Sequence, residues 1–78
     1  MEEFIRGVLV DVLKTEEEII KNLGVDDDLI KIGLDSLKAI ELVVYIEDHY
    51  GITISDDDLL IDNISSINKI EEMIRKYF

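Results

Sequence analysis

The sequence predicts an all-α fold with a single small core, on three observations. Apolar residues recur at helical spacing in three long segments, and none of the 78 residues is a proline that would interrupt them. The only strand-like alternation, Ile52-Thr53-Ile54, is too short and has no second strand to pair with. A chain of 78 residues with 47% apolar content supports one domain spanning residues 1–78, and at this size it buries roughly 60–65% of its unfolded surface. A deep, water-excluding cleft is hard to build on that scale.

The first helix is expected from about Glu2 to Lys14. Phe4, Ile5, Val8, Leu9, Val12 and Leu13 fall on one stripe of it, with acids at its start and Lys14 at its end to suit the helix dipole. Thr15-Glu16-Glu17-Glu18 has the spacing of a capping box, predicting a short helical turn through Asn22 that Gly24 ends. Val25 to Gly33 mixes Asp26-Asp27-Asp28 with Leu29, Ile30 and Ile32 and reads as a loop pinned to the core by its apolar residues. Asp35 or Ser36 caps the next helix, Ala39, Ile40, Val43, Ile46 and Tyr50 line its buried face, and Gly51 stops it. After the extended 52–54 linker, Ser55 starts a short helix to about Ile61. Ser65 or Ser66 caps a last helix carrying Ile67, Ile70, Met73, Ile74, Tyr77 and Phe78.

Charge narrows the function classes. A net charge of −11 repels phosphate backbones and anionic membranes, which argues against nucleic acid and for basic protein partners. The longest apolar run, Leu42 to Ile46, falls far short of the roughly 20 residues of a membrane span, and Met1-Glu2-Glu3 lacks the basic start of an export signal. With no cysteine, disulfides and thiolate metal sites are excluded and a reducing, cytoplasmic setting is the default. Residues 35–62 carry eight acids and one base, net −7, so most of the negative field surrounds one part of the chain.

Ser36 lies in that part. Residues 26–41 laid over 56–71 agree at seven of sixteen positions, which pairs Ser36 with Ser66. The agreement is that of two acidic loops feeding two serine-started helices, since a stacked repeat array needs about three or more units. Only Ser36 has an aspartate just before it and a glycine three residues before it. It is not a hydrolytic nucleophile: the only histidine, His49, is thirteen residues along the same helix and so about 20 Å away, and Lys38 stands where a G-x-S-x-G elbow needs glycine. Calcium loops starting at Asp26 or Asp56 also fail, because their sixth positions are Lys31 and Ile61 and their twelfth Leu37 and Ile67. What remains is an N-cap or an attachment point, where free N–H groups favour a phosphate ester.

Gly33-Leu34-Asp35-Ser36-Leu37-Lys38-Ala39-Ile40-Glu41-Leu42 closely resembles the prosthetic-group site of acyl carrier proteins, and the likeness extends from Phe4 to Tyr77. The resemblance implies a right-handed, up-and-down four-helix bundle of three main helices plus a short third one. It implies a monomer that catalyses nothing and carries 4′-phosphopantetheine, taken from coenzyme A, on Ser36 between Asp35 and Leu37. A thioester on that arm would hold an acyl group. Leu37, Lys38, Glu41, Val44, Glu47, Asp48 and Asp56 would form the docking surface. The implied partners are a phosphopantetheinyl transferase, an acyl-loading ligase or transferase, and downstream synthases with basic patches.

The sequence departs from the family pattern at Lys38, where fatty-acid carriers usually have an acid. Ser36-Leu37-Lys38-Ala39 is reminiscent of peptidyl carriers, although their usual Gly-Gly-His is replaced by Gly33-Leu34-Asp35, a form also found in polyketide carriers. Fatty acyl, polyketide and aminoacyl cargo, the last for a nonribosomal or D-alanyl-type pathway, all stay open. An unmodified acidic interaction module and a cation-responsive acidic bundle are the rival readings.

Overall fold

Burial of two apolar stripes on the longest helices organises the chain. In the computed structural model, which describes residues 1–78, α1 (Glu2–Leu13) turns Ile5, Val8, Leu9, Val12 and Leu13 inward. It packs along α3 (Ser36–Tyr50) and α4 (Ile67–Arg75), and the short α2 (Glu17–Lys21) leans on it. No strand forms, and Ile52 to Ile54 is extended linker. Eighteen buried apolar residues make one cluster, and the radius of gyration of 11.3 Å is close to the roughly 11.5 Å of a compact chain this long. No helix is long and apolar enough to cross a membrane.

The ends of the elements follow local chemistry, with two departures from expectation. Lys14 ends α1 in the left-handed region (φ 51°), and Thr15 N–H donates back to the Val10 carbonyl, so Thr15 belongs to the end of α1. Glu16, not Thr15, is the N-cap of α2, and it makes no side-chain capping bond. Nor does Gly24 end that helix: Asn22 does, while Gly24 N–H donates to the Asp27 carboxylate at 2.8 Å. Arg6 joins the two helices, pairing with Glu2 at 3.0 Å and donating to the Ile20 carbonyl at 2.5 Å.

The 25–34 loop is fixed rather than loose. Leu29 N–H donates to the Ser65 carbonyl at 2.8 Å, and Asn68 N–H to the Val25 carbonyl at 2.9 Å. Leu29 and Leu34 are buried, with a 3₁₀ turn (Leu29–Ile32) between them that Gly33 closes at φ 113°, whereas Ile30 is exposed. Gly51 ends α3 in the same left-handed manner.

The expected helix from Ser55 to Ile61 is instead two 3₁₀ turns, Asp56–Asp58 and Ile61–Ile64. Three successive aspartates are poor helix formers, Ser55 Oγ captures the Asp57 N–H, and Leu60 is extended, so the α pattern never propagates. The chain's C-terminal end ties this segment down. Tyr77 Oη donates to Asp58 Oδ2 at 2.5 Å and accepts the Ser55 N–H at 2.8 Å, and Lys76 Nζ lies 3.3 Å from Asp58 Oδ1. Phe78, expected on the last helix, lies beyond its end at Arg75; it is exposed and meets Tyr50 edge-on at 5.4 Å.

Two outcomes follow from this architecture. A Cβ added at Gly7, inside α1, meets nothing within 4 Å. Gly7→Ala should therefore stabilise the protein by about 0.5–1 kcal/mol, read as a raised urea midpoint, and a lowered midpoint would refute the open geometry. The second outcome concerns pH. The Tyr77 hydroxyl, then Lys76, hold Asp58 below the ordinary carboxylate range, while the bond to Asp58 chiefly raises the Tyr77 phenol. A lowered acid stabilises above its unfolded pKa, and that contribution goes as pH falls through the folded one; a raised phenol stabilises below its unfolded pKa and loses this as pH rises through the folded value. The stability gap between wild type and Tyr77→Phe should thus be full between about pH 4 and pH 10 and shrink on both sides. A gap that is flat with pH would contradict the pairing.

Candidate functional site

The start of α3 distinguishes the two serines that the sequence pairs. Asp35 is the N-cap, in extended conformation, and its carboxylate accepts the Lys38 N–H at 2.9 Å. Ser36 is thus the first helical residue; it is exposed, and its hydroxyl makes no hydrogen bond within the protein. At α4 the serine itself is the cap: Ser66 Oγ accepts the Lys69 N–H at 3.2 Å, and the residue is 5% exposed. One residue of register therefore leaves Ser36 free and Ser66 occupied.

Ser36 stands at one end of a groove of about 410 Å³ between α3 and the 53–64 segment. Ala39, Ile40, Val43 and Val44 form one side, and Ile54, Leu59, Ile61 and Ile64 the other, with Glu47 and Asp56 among the few polar groups. A larger groove of about 580 Å³ lies between α1 and α2, but most of the residues lining it are charged and Ser36 is not among them. The exposed N-terminus of a fifteen-residue helix suits a phosphate ester on Ser36, since the Ser36 and Leu37 N–H groups have no carbonyl before them to accept. The groove suits an apolar extension of such an ester. The residues present fit a phosphorylated arm.

The structure distributes the expected docking residues over one face. Leu37, Val44 and, unexpectedly, Ile40 are 75%, 54% and 60% exposed and form an apolar stripe along α3. Ile40 thus does not line the buried face, which is made instead by Ala39, Leu42, Val43 and Ile46. Glu41, Asp48 and Asp56 are exposed beside the stripe. Lys38 is half-buried, and its ammonium lies 3.9 Å from where a Cβ on Gly33 would stand. Glu47 is half-buried too, and it accepts the Ile54 N–H at 2.8 Å, so it ties the linker to α3. His49 stacks on Phe4 at 3.8 Å at the far end of α3.

Sequence reasoning missed the Asp58–Tyr77–Lys76 cluster and the partly buried Glu71, which pairs with Arg75 at 3.3 Å. The i, i+4 spacing of Glu71 and Arg75 was an available signal. Nothing in the spacing of Asp58 and Tyr77 points to their contact.

The two helix starts make a stability test of the register. Ser66→Ala should cost about 1 kcal/mol in urea unfolding, whereas Ser36→Ala should stay within about 0.5 kcal/mol. Equal losses would mean that both serines cap.

No solved structure matches the chain significantly. The family model described as "Phosphopantetheine attachment site" does match it, over residues 3–74. That span takes in all four α-helices, both faces of the groove and the capped start of α3, apart from the last residue of α4 and the first of α1. Members of this family carry a 4′-phosphopantetheine prosthetic group and are in general non-catalytic carriers. The chain belongs to the phosphopantetheine-binding family of acyl-carrier type.

Proposed function

We propose that residues 1–78 form a single carrier domain whose 4′-phosphopantetheine is attached at Ser36. The observation that carries this reading is the free, exposed Ser36 hydroxyl at the mouth of an apolar groove, with the capping work done by Asp35. When attached, the arm supplies a terminal thiol that holds cargo as a thioester. Ser36 Oγ gains a phosphoester bond as the pyrophosphate of coenzyme A breaks, the nucleotide leaves, and a base of the transferase takes the hydroxyl proton. The domain offers no base of its own there, because His49 is held on Phe4 thirteen residues away.

The groove supports an acyl cargo with an apolar chain, fatty or polyketide, over an aminoacyl one. Eight of its twelve lining residues are apolar and offer burial to an apolar chain, whereas a short aminoacyl group would leave those walls unfilled and find partners for its ammonium only in Glu47 and Asp56. The partners are the phosphopantetheinyl transferase, a loading ligase or transferase, and synthase enzymes, each with a basic patch. Leu37 and Val44 supply apolar contact, and Glu41, Asp48 and Asp56 supply charge; Lys38 and Glu47 sit at the edges of the same face. Such a surface speeds encounter with basic partners and leaves contacts weak enough to release.

Incubation with coenzyme A and a broad-specificity phosphopantetheinyl transferase should add one phosphopantetheine mass, and Ser36→Ala should abolish the addition. A wild type that stays unmodified, or a label on Ser66, would overturn the assignment and leave the acidic interaction module as the reading.

A further inference from the structure

The outer wall of the groove is held in an unusual way. From Ser55 to Asn63 no residue is buried, and the segment's own backbone bonds are three turn-type contacts. Leu59 and Ile61 line the groove together with Asp56; Asp57 and Asp62 are exposed, and Asp58 is half-buried. The hydrophobic core thus anchors this wall at Ile54 and at Ile64 but not between them.

Apart from the neighbouring Ser65 hydroxyl on the Asp62 carbonyl, every hydrogen bond that reaches the segment from outside its own turns comes from the two residues following α4. Tyr77 Oη donates to Asp58 and accepts the Ser55 N–H, and Lys76 pairs with Asp58. Tyr77 is half-buried against the core, and its N–H continues the turn to the Ile74 carbonyl at 3.0 Å. A firm helix, buried through Ile67, Ile70 and Ile74, therefore reaches across to an otherwise loose wall. The Asn63 side chain, bonded to the Asp58 carbonyl at 3.3 Å, spreads that hold along both 3₁₀ turns.

We infer that Tyr77 and Lys76 are positioning residues that set the width of the groove beside Ser36, and so the length of acyl chain it accepts, by clamping Asp58 in its outer wall. The inference rests on the carrier reading above and on the groove as the place of the cargo. With the clamp closed, Leu59 and Ile61 stay against α3 and a short or medium chain fills the space. With it released, the stretch between the buried ends Ile54 and Ile64 moves outward, because no side chain of α1, α3 or α4 bonds to it. Longer chains then gain buried contact that the closed groove denies them.

The test loads the wild type, Tyr77→Phe and Asp58→Asn with butyryl, octanoyl and dodecanoyl arms through the transferase and measures the rise in Tm that each chain gives. Amide exchange of the unloaded proteins is followed in parallel. Tyr77→Phe keeps the ring and removes only the hydroxyl. The exchange of the Asp58 and Leu59 amides, bonded to the Ser55 and Asp56 carbonyls, should quicken about tenfold, with the core amides of α1 and α3 unchanged. The chain giving the largest rise in Tm should be longer in both variants than in the wild type. A general loss of stability would lower every Tm but would leave that preferred length where it was. If exchange at Asp58 and Leu59 is unchanged, or if the variants keep the wild-type preference, the clamp inference is overturned and the carrier reading stands. If the wild type gains no Tm from any chain, the groove reading fails and takes the clamp with it; if Ser36 accepts no arm at all, the carrier reading itself has failed.

Discussion

The functional end of the molecule depends on one hydrogen bond, from the Lys38 N–H to the Asp35 carboxylate. A cap fixes which residue begins a helix, and moving the start of α3 by one position would turn Ser36 from a free side chain into the cap itself, as Ser66 is at α4. The bond is itself set up from below. Leu34 is buried directly before Asp35, Leu29 is buried behind it, and Gly33 supplies the left-handed turn that lets the chain leave the core and enter the helix. Asp35, Gly33 and the two leucines thus act together to present a hydroxyl at the N-terminus of α3.

The same helix has to serve two surfaces. Ala39, Leu42, Val43 and Ile46 are committed to the core, and Leu37, Ile40 and Val44 to the outside. An exposed aliphatic stripe of this kind invites self-association, and the dense negative charge around it counteracts that tendency. With eight basic residues against nineteen acidic ones and three ion pairs in the whole chain, the field is largely uncompensated. Repulsion between identical acidic faces and attraction to a basic one are the same electrostatic property seen by different partners. The net stability of so small a core is modest, so the charge cannot be increased without limit.

The legibility of the chain follows from where its information is local. The three main helices, the stop at Gly51 and the apolar stripe of α1 were all readable, because periodicity and end signals occupy neighbouring positions. Ile40 was not, because α3 is apolar on two arcs and spacing alone does not say which arc meets α1. Thr15 looked like a cap until the left-handed Lys14 claimed it for the preceding helix. The 55–64 segment was misjudged because Ser55 reads equally as the start of an α-helix or of a 3₁₀ turn, and its tie across the fold lies nineteen residues away, where the Tyr77 hydroxyl meets Asp58. At the site, Asp35 and Ser36 were readable as alternatives for a single cap, and only the geometry assigned the bond. Glu47 was legible as a surface acid but not as a partner of the Ile54 N–H.

The contrast between the two walls of the groove has a physical origin in the size of the domain. Eighteen core side chains are enough to fasten α1, α3 and α4 to one another, and they leave almost nothing for the stretch between Ser55 and Asn63. A larger protein would bury that stretch, whereas here hydrogen bonds from the C-terminal residues have to hold it. Apolar burial is lost only with the packing of the whole core, but a few polar contacts to one loop can open and close singly while the bundle stays folded. The inner wall, with Ser36 at its end, is therefore tied to the global stability of the domain, whereas the outer wall between the buried Ile54 and Ile64 is held across the fold through Asp58. With the arm on Ser36 as proposed, a fixed tether point would stand beside a wall held by a few polar contacts, which would let a carrier keep one attachment geometry for every partner and still hold and release its cargo.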